Sequence, residues 1–193
     1  MSNRRAISDF ALLTSFTFVS LIVHAQAPLA KPVCGKTPVR LSNAVPLTTS
    51  AGIFMVQPPA GWSLDQTKNN PFYFLKPGDT YQNARTLMYV NIERLDVPLL
   101  KAVEKDMRDF EGACKESRIK DLPPQAILEE GCERKTQMFY CDRSKGPWVD
   151  LVTKISISGL IVNVVLSADN EAEIARNKAS YEFLLKHIGL AFH

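Results

Sequence analysis

The sequence is poor in the residues on which most catalytic and metal sites depend. Among its 193 residues are three histidines and four cysteines, with no Cys-x-x-Cys pair and no glycine-rich phosphate loop. These absences argue against thioredoxin-like redox chemistry and against nucleotide-phosphate binding. Only His187 and His193 lie beyond residue 27, and the cysteine spacings match no zinc finger or ribbon. We therefore expect no metal, no cofactor and no catalytic residue.

The chain also lacks an excess of charge of either sign. It carries 23 basic and 20 acidic residues, a net charge of +3. The one basic cluster, at residues 115–120, is interleaved with Glu116 and is typical of a solvated loop. Nothing here supplies the positive field that nucleic-acid binding needs, so a nucleic-acid partner is not expected.

The N-terminal residues have the pattern of a secretory signal peptide. Arg4 and Arg5 precede an apolar run over residues 10–23, and small residues follow. We expect residues 1–25 to be removed by cleavage after Ala25, or alternatively after Ala27. The run is shorter than the ~20 apolar residues of a membrane span, and no later segment is longer. The mature protein, with a net charge of +2, is expected in the periplasm or outside the cell, without a stable membrane anchor.

Export changes how the four cysteines are interpreted. An even number in an oxidising compartment favours two disulfides, and three connectivities are possible. A hairpin turning at residues 134–136 would place Cys132 opposite Cys141, close enough to bond. Cys34 would then pair with Cys114. These two pairs are the predicted connectivity.

Hydrophobic patterning divides the mature chain into an extended lead-in over residues 26–50 and a single domain over residues 51–193. Alternating or continuous apolar runs predict strands, of which residues 160–166 are apolar enough for a central strand covered on both faces. The predicted strands cover residues 52–57, 72–75, 86–95, 126–133, 137–143, 148–157 and 160–166.

Two segments have the periodicity of amphipathic helices. The first begins near Pro98, and its apolar stripe places Cys114 inward. The stripe consists of Leu100, Val103, Met107, Phe110 and Cys114. The second begins at Asn170, which forms a capping pair with Glu173, and runs to about His187, with Gly189 as a left-handed C-cap. The fold class is therefore α+β, a mainly antiparallel sheet of about six to seven strands covered by two helices.

This order of elements resembles the PsbP-type α/β/α sandwich, which the DcrB-like exported proteins share. The resemblance covers residues 52–190. It is carried by the strand that runs from Phe54 into the Pro-Gly-Trp turn ending at Trp62, by the long helix after the early strands, and by the strands that lead to a C-terminal helix around Tyr181. The resemblance implies an accessory or binding domain without enzymatic activity, which docks to a larger protein partner.

Aromatic residues at turns and strand ends are the remaining candidates for a functional surface. If several are exposed together they mark a contact surface, whereas the alternative for each is ordinary core packing. The candidate contact residues are Trp62, Phe72, Tyr73, Tyr81 and Trp148.

The leading hypothesis is thus an exported, non-enzymatic module that docks to a protein partner. A periplasmic carrier of a small ligand is the first alternative and predicts an apolar cavity between a helix and the sheet. An inhibitor or immunity-type protein is the second, with the hairpin over residues 132–141 as its binding loop. A small hydrolase comes last, because it would need convergent ionisable groups with shifted pKa values.

Overall fold

The computed structural model describes residues 29–32, 39–65, 71–94, 97–114, 116–123, 132–143, 146–157 and 159–191. The predicted signal peptide, Cys34 and most of the predicted strand over residues 126–133 lie outside these ranges. Two helices and twelve strands occur within them. In chain order they are β1 (Leu29–Pro32), β2 (Val39–Arg40), β3 (Val45–Thr49), β4 (Gly52–Val56), β5 (Ser63–Leu64), β6 (Phe72–Leu75), β7 (Thr86–Arg94), α1 (Leu99–Ala113), β8 (Ser117–Asp121), β9 (Glu133–Arg143), β10 (Gly146–Ile157), β11 (Leu160–Ala168), α2 (Glu171–Lys186) and β12 (Ile188–Ala191).

The main sheet has seven antiparallel strands in the order β5-β6-β7-β11-β10-β9-β8. Strand β11 lies at its centre, and eight of its nine residues are buried. This confirms the interpretation of the continuous apolar run as a central strand. The α+β class, the antiparallel pairing and the two covering helices are likewise as predicted.

A second sheet was not predicted. Five strands pair in the order β2-β1-β12-β4-β3, so the predicted lead-in contributes three strands instead of a single extended tail. Gly189, expected as a left-handed helix cap, instead lies in β12, where it pairs with Met55 of β4. The polar and proline-rich composition of residues 28–50 concealed these strands, and one of them, β1, pairs with β12 from the far end of the chain.

The hydrophobic core fills the space between one face of the main sheet, helix α2 and the second sheet. Side chains with no measurable exposure come from both sheets and from α2. They include Leu47, Phe54, Phe74, Val90, Val164 and Leu184. Helix α2 begins as predicted, because the Asn170 side chain accepts a hydrogen bond from the Glu173 N–H at 3.0 Å.

Helix α1 covers the opposite face of the main sheet. Its buried residues are Leu99, Ala102 and Val103, which pack against Ile161 of β11. Leu100, placed in the predicted apolar stripe, is 65% exposed, so the stripe was wrong at its first position. Cys114 does point inward, as predicted.

The predicted disulfide connectivity is wrong. Cys114 bonds to Cys141, with their Cα atoms 5.7 Å apart, and this excludes both predicted pairs. The hairpin expected at residues 134–136 does not form, since β9 continues unbroken from Glu133 to Arg143. Cys132 and Cys141 therefore lie roughly 30 Å apart along one extended segment. Cys132 is itself disulfide-bonded, and no cysteine is free in the part of the chain that the structure describes.

Candidate functional site

The α1 face of the main sheet differs in chemistry from the core face. Strand alternation places Tyr89, Asn91 and Glu93 of β7 on it, beside Asn163 of β11 and Lys154 of β10. Polar side chains in the middle of buried strands cost free energy unless they have partners. These polar side chains are concentrated on one face of the sheet, and hydrophobic packing alone does not explain why they are there.

Helix α1 is held over this face at three kinds of contact. The Cys114–Cys141 disulfide fixes its C-terminal end to β9, and the Phe110 ring meets Phe139 edge-on at 5.0 Å. Near its middle, Asp106 forms an ion pair with Lys154. These contacts leave the face over β6 and β7 open beside the helix.

A groove of about 360 Å³ lies between α1 and the sheet. We call it the α1 groove, and the charged side chains among the described residues that line it are Glu93, Lys105, Asp106, Asp109, Asp150 and Lys154. These four carboxylates and two ammonium groups give a net charge of −2. The groove is therefore acidic in a chain whose total charge is +3.

Lys154 is the most deeply placed charge in the groove. Its residue is 3% exposed, and its ammonium group donates to Asn163 Oδ1 at 2.7 Å besides pairing with Asp106. A buried ammonium group is tolerated only with such partners, because desolvation disfavours the charged form. Lys105 and Asp109 form an ion pair at 2.7 Å, but both side chains are exposed, so the pair contributes little to stability.

Beside the groove, four aromatic side chains form a second cleft of about 240 Å³. We call them the aromatic surface: Tyr73, Tyr81, Tyr89 and Trp148. The Tyr73 ring lies 4.7 Å from Tyr81 and 5.7 Å from Tyr89, both in tilted contact. Tyr81 is 46% exposed and the other three residues are half-buried, so the cluster reaches solvent mainly through Tyr81. Tyr89 and Asp150 line both clefts, which therefore adjoin.

A hydrogen-bond network fixes the orientation of Trp148. Its indole N–H lies 2.7 Å from both Asp150 Oδ1 and Ser167 Oγ, and the Ser167 hydroxyl donates to the same Asp150 oxygen. Two neutral donors thus stabilise the Asp150 carboxylate next to the tyrosines. The indole is held rigidly, which lowers the entropy that binding would cost.

The pKa values of Tyr73 and Tyr89 are raised, as expected on a crowded, acidic surface. Burial, then the nearby Tyr81 phenol and its hydrogen bond, raises the pKa of Tyr73 to about 12. Burial raises the pKa of Tyr89 as well, and the charges of Asp150 and Asp106 add to that effect. Both phenols are therefore neutral hydrogen-bonding groups at physiological pH.

We predict that Tyr81→Phe lowers the pKa of Tyr73 from about 12 towards the ordinary tyrosine value, because the contribution of the Tyr81 hydroxyl is removed. A phenol whose pKa is raised by folding contributes stability that is complete below about pH 10 and lost as the pH rises through its folded value. NMR titration of the tyrosine ring carbons measures the shift. Tyr140→Phe is the control, and an unchanged Tyr73 pKa in Tyr81→Phe would contradict the contact.

Three of the five predicted contact residues come together in the structure. Tyr73, Tyr81 and Trp148 line one cleft. Trp62 and Phe72 were wrong as contact residues, since they are only 8% and 4% exposed and belong to the core. Phe72 points to the opposite face from Tyr73 because adjacent strand residues alternate.

Sequence reasoning missed Tyr89, Asp150 and Ser167 as members of this surface. The alternation of β7 indicated that Tyr89 shares a face with Asn91, but not that the face is open. Asp150 stands two residues from Trp148, and this spacing was the one signal that could have paired them. Ser167 comes from β11 and is opposite Asp150 only through the strand register.

Other chemistry has less support from the described residues. His187 stacks on Phe183 at 3.8 Å at the end of α2, and its Nδ1 lies 2.8 Å from the Phe183 carbonyl oxygen. Within the described ranges, no three His, Cys, Asp or Glu side chains are grouped so as to hold a metal ion. Neither α1 nor α2 is long and apolar enough to cross a membrane, and no other helix occurs in the part searched.

No family model and no curated protein matches this sequence. Among solved structures, cyanobacterial PsbP (CyanoP) from Synechocystis is 14% identical, with a TM-score of 0.49 over 81% of this chain and 96% of that one. The Ran-binding protein Mog1p of Saccharomyces cerevisiae is 11% identical, with a TM-score of 0.49 over 77% and 95%. PA94 of Pseudomonas aeruginosa, a protein of unknown function, is 10% identical, with a TM-score of 0.45 over 73% and 92%.

The PsbP-type fold predicted from the sequence is thus among those that the structure resembles. The likeness to DcrB-like proteins stays a prediction. Because the TM-scores of these three structures lie below 0.5, their likenesses do not bear on function.

Proposed function

We propose that this chain is an exported, non-enzymatic module that docks to a protein partner through the aromatic surface. The observation that carries the proposal is the gathering of Tyr73, Tyr81, Tyr89 and Trp148 on a sheet face that α1 leaves open. Tyrosine and tryptophan dominate the binding energy of protein interfaces, since each contributes a large, rigid contact area with a polar end.

The organisation of the surface favours a binding role over a structural one. A core tyrosine buries its ring, whereas Tyr81 keeps 46% of its surface exposed although it contacts Tyr73. Trp148 is oriented by Asp150 and Ser167 before any partner arrives. Rigid aromatic anchors of this kind lose little entropy on association.

Export belongs to the same proposal. The signal peptide at residues 1–25, with cleavage after Ala25 or Ala27, would direct the domain to the periplasm or the exterior. The Cys114–Cys141 disulfide supports an oxidising compartment, where such bonds persist. The lead-in at residues 26–50 would then be part of the folded domain, because β3 pairs with β4.

A carrier of a small ligand is the second candidate, and the α1 groove is the observation that favours it. Its volume of about 360 Å³ is at the small end of the ~300–1,000 Å³ of ligand pockets. Its walls are half-polar and charged, however, rather than the apolar cavity that a carrier of the predicted kind would have. The inhibitor alternative loses its binding loop, since residues 133–143 form one strand of the main sheet.

A photo-crosslinker placed at Tyr81 tests the docking proposal in the cells from which the sequence comes. We expect one recurrent protein to be cross-linked from position 81 and not from Glu111, an exposed control position on α1. Trp148→Ala and Tyr73→Ala, which remove neighbouring anchors, should each reduce that cross-link by about tenfold or more, as hot-spot residues do.

Two outcomes would contradict the proposal. One is equal cross-linking from positions 81 and 111, which would indicate non-specific proximity. The other is a specific cross-link that survives both alanine substitutions, which would place the contact elsewhere. Lys178→Ala, on the exposed side of α2, is the matched substitution that should leave the cross-link unchanged.

A further inference from the structure

We propose that the α1 groove receives a lysine or arginine side chain of the protein that docks on the aromatic surface. The inference rests on the proposed function, and it adds the chemical identity of the partner's anchor. The two clefts share Tyr89 and Asp150, so a segment bound across the tyrosines would have the mouth of the groove directly beside it.

Charge complementarity is the first reason for a basic side chain. Among the described residues that line it, the groove carries Glu93, Asp106, Asp109 and Asp150 against Lys105 and Lys154, a net charge of −2. Lys105 pairs with Asp109 and Lys154 with Asp106, both on α1. On the sheet side, Glu93 accepts from the Asn91 amide at 2.5 Å, and Asp150 accepts from Trp148 and Ser167. A cation entering between them would be attracted at short range.

The walls of the groove are the second reason. The rings of Tyr89, Phe110 and Phe139 line it together with the apolar side chains of Val152 and Val165. Aromatic faces attract ammonium and guanidinium groups, and apolar walls accommodate the alkyl stem of a long basic side chain. A purely apolar occupant would contact the apolar walls but would leave the carboxylates without a counter-charge. An anionic occupant would be repelled by those carboxylates.

The third reason is the raised pKa of Tyr89, which follows first from burial and then from the charge of Asp150. The Asp150 and Asp106 carboxylates both contribute to it, in agreement with the acidic lining where the two clefts meet. The groove, with a volume of about 360 Å³, has room for one long side chain.

The test uses two capped peptides that differ only at the central residue, lysine in one and norleucine in the other. The indole N–H of Trp148 is the reporter in NMR titration, because it donates to Asp150, which lines both clefts. The indole of Trp62, buried in the core, is the internal control. We expect the lysine peptide to shift the Trp148 signal saturably, and the norleucine peptide to bind about fivefold or more weakly.

Substitutions at the sheet-side carboxylates locate the effect. Glu93→Gln and Asp150→Asn keep the side-chain shape and remove one charge each, so each should weaken binding of the lysine peptide by about fivefold. Glu111→Gln removes a charge from the exposed side of α1 and should change nothing. Since Asp150→Asn also touches Trp148, Glu93→Gln keeps the test decisive if that variant misfolds. Raised salt should weaken binding in the parent.

Three results would overturn the inference. The first is equal binding of the two peptides, and the second is equal binding by the parent and Glu93→Gln. The third is saturable binding of free 1,5-diaminopentane with no response to the lysine peptide, which would assign the groove to a small amine and favour the carrier. Failure of these arms leaves the cross-link at position 81 unaffected, so the docking proposal is judged separately.

Discussion

Replacing Tyr181 by alanine is expected to lower the free energy of unfolding by about 4 kcal/mol, the loss typical of a large buried aromatic side chain. Tyr181 is 2% exposed and lies on α2 against the core face of the main sheet. Its hydroxyl lies 2.6 Å from Thr153 Oγ1 and 3.0 Å from the Val164 carbonyl oxygen. Thr153 in turn lies 3.0 Å from Thr136 Oγ1, so one phenol joins α2 to three adjacent strands.

Tyr181→Phe separates the two contributions of this side chain. It keeps the ring and removes the hydroxyl, so it should cost about 1–1.5 kcal/mol, the net value of one buried hydrogen bond. Chemical denaturation at neutral pH measures both variants, and Lys178→Ala on the exposed side of α2 should stay within about 0.5 kcal/mol of the parent. A Tyr181→Phe loss as large as that of Tyr181→Ala would contradict the packing argument.

The sequence predicted those elements whose determinants are local. Asn170 and Glu173 fixed the start of α2 through a capping bond three residues apart. Residues 72–75 formed the predicted strand, and residues 86–94 alternated as expected between the core and the open face. In each case the sequence pattern lies within one element, although the two strands are stabilised by pairing with their neighbours.

Elements that depend on distant pairing were missed. The second sheet needs β12, from the end of the chain, to pair with β1 and β4, and no local signal announces this. The polar triplet at residues 134–136 suggested a turn, but Thr136 faces the core and Lys135 pairs with Asp121 of the neighbouring strand β8. A strand whose polar side chains all find partners in the sheet can have the same composition as a turn.

The sequence indicated that aromatic residues form the candidate site, but it did not indicate where on the fold they come together. Tyr73, Tyr81 and Trp148 were selected because aromatic residues at strand ends and turns can form contact surfaces. Which aromatic residues of this face are open depends on where α1 lies, and the C-terminal end of α1 is held by the bond from Cys114 to Cys141. Trp62 and Phe72 are buried in the core on the other face of the sheet, so their burial depends on tertiary packing that the sequence pattern does not show.

Removing the Cys114–Cys141 bond is expected to destabilise the protein by about 3.5 kcal/mol, from the chain entropy that a loop of this length returns to the unfolded state. The two cysteines are 27 residues apart, and the segment between them contains all of β8 and most of β9. Alanine at both positions is the suitable change, because both half-cystines are buried and serine would place unpaired hydroxyls there. Reduction is unsuitable, since Cys132 is also disulfide-bonded.

The same double variant should loosen α1, which forms one wall of the groove, more than it loosens the core. Without the bond, the C-terminal end of α1 is held by the Phe110–Phe139 contact, and the Asp106–Lys154 pair lies further back. Amide exchange should therefore quicken more over the last turns of α1 than over β11, whose central amides exchange through global unfolding and should change by no more than the loss of global stability. If exchange rose equally in α1 and β11, the bond would act through global stability alone and would not hold α1 locally. If it rose in neither, noncovalent contacts would suffice to hold α1, and the wall of the groove would not depend on the bond.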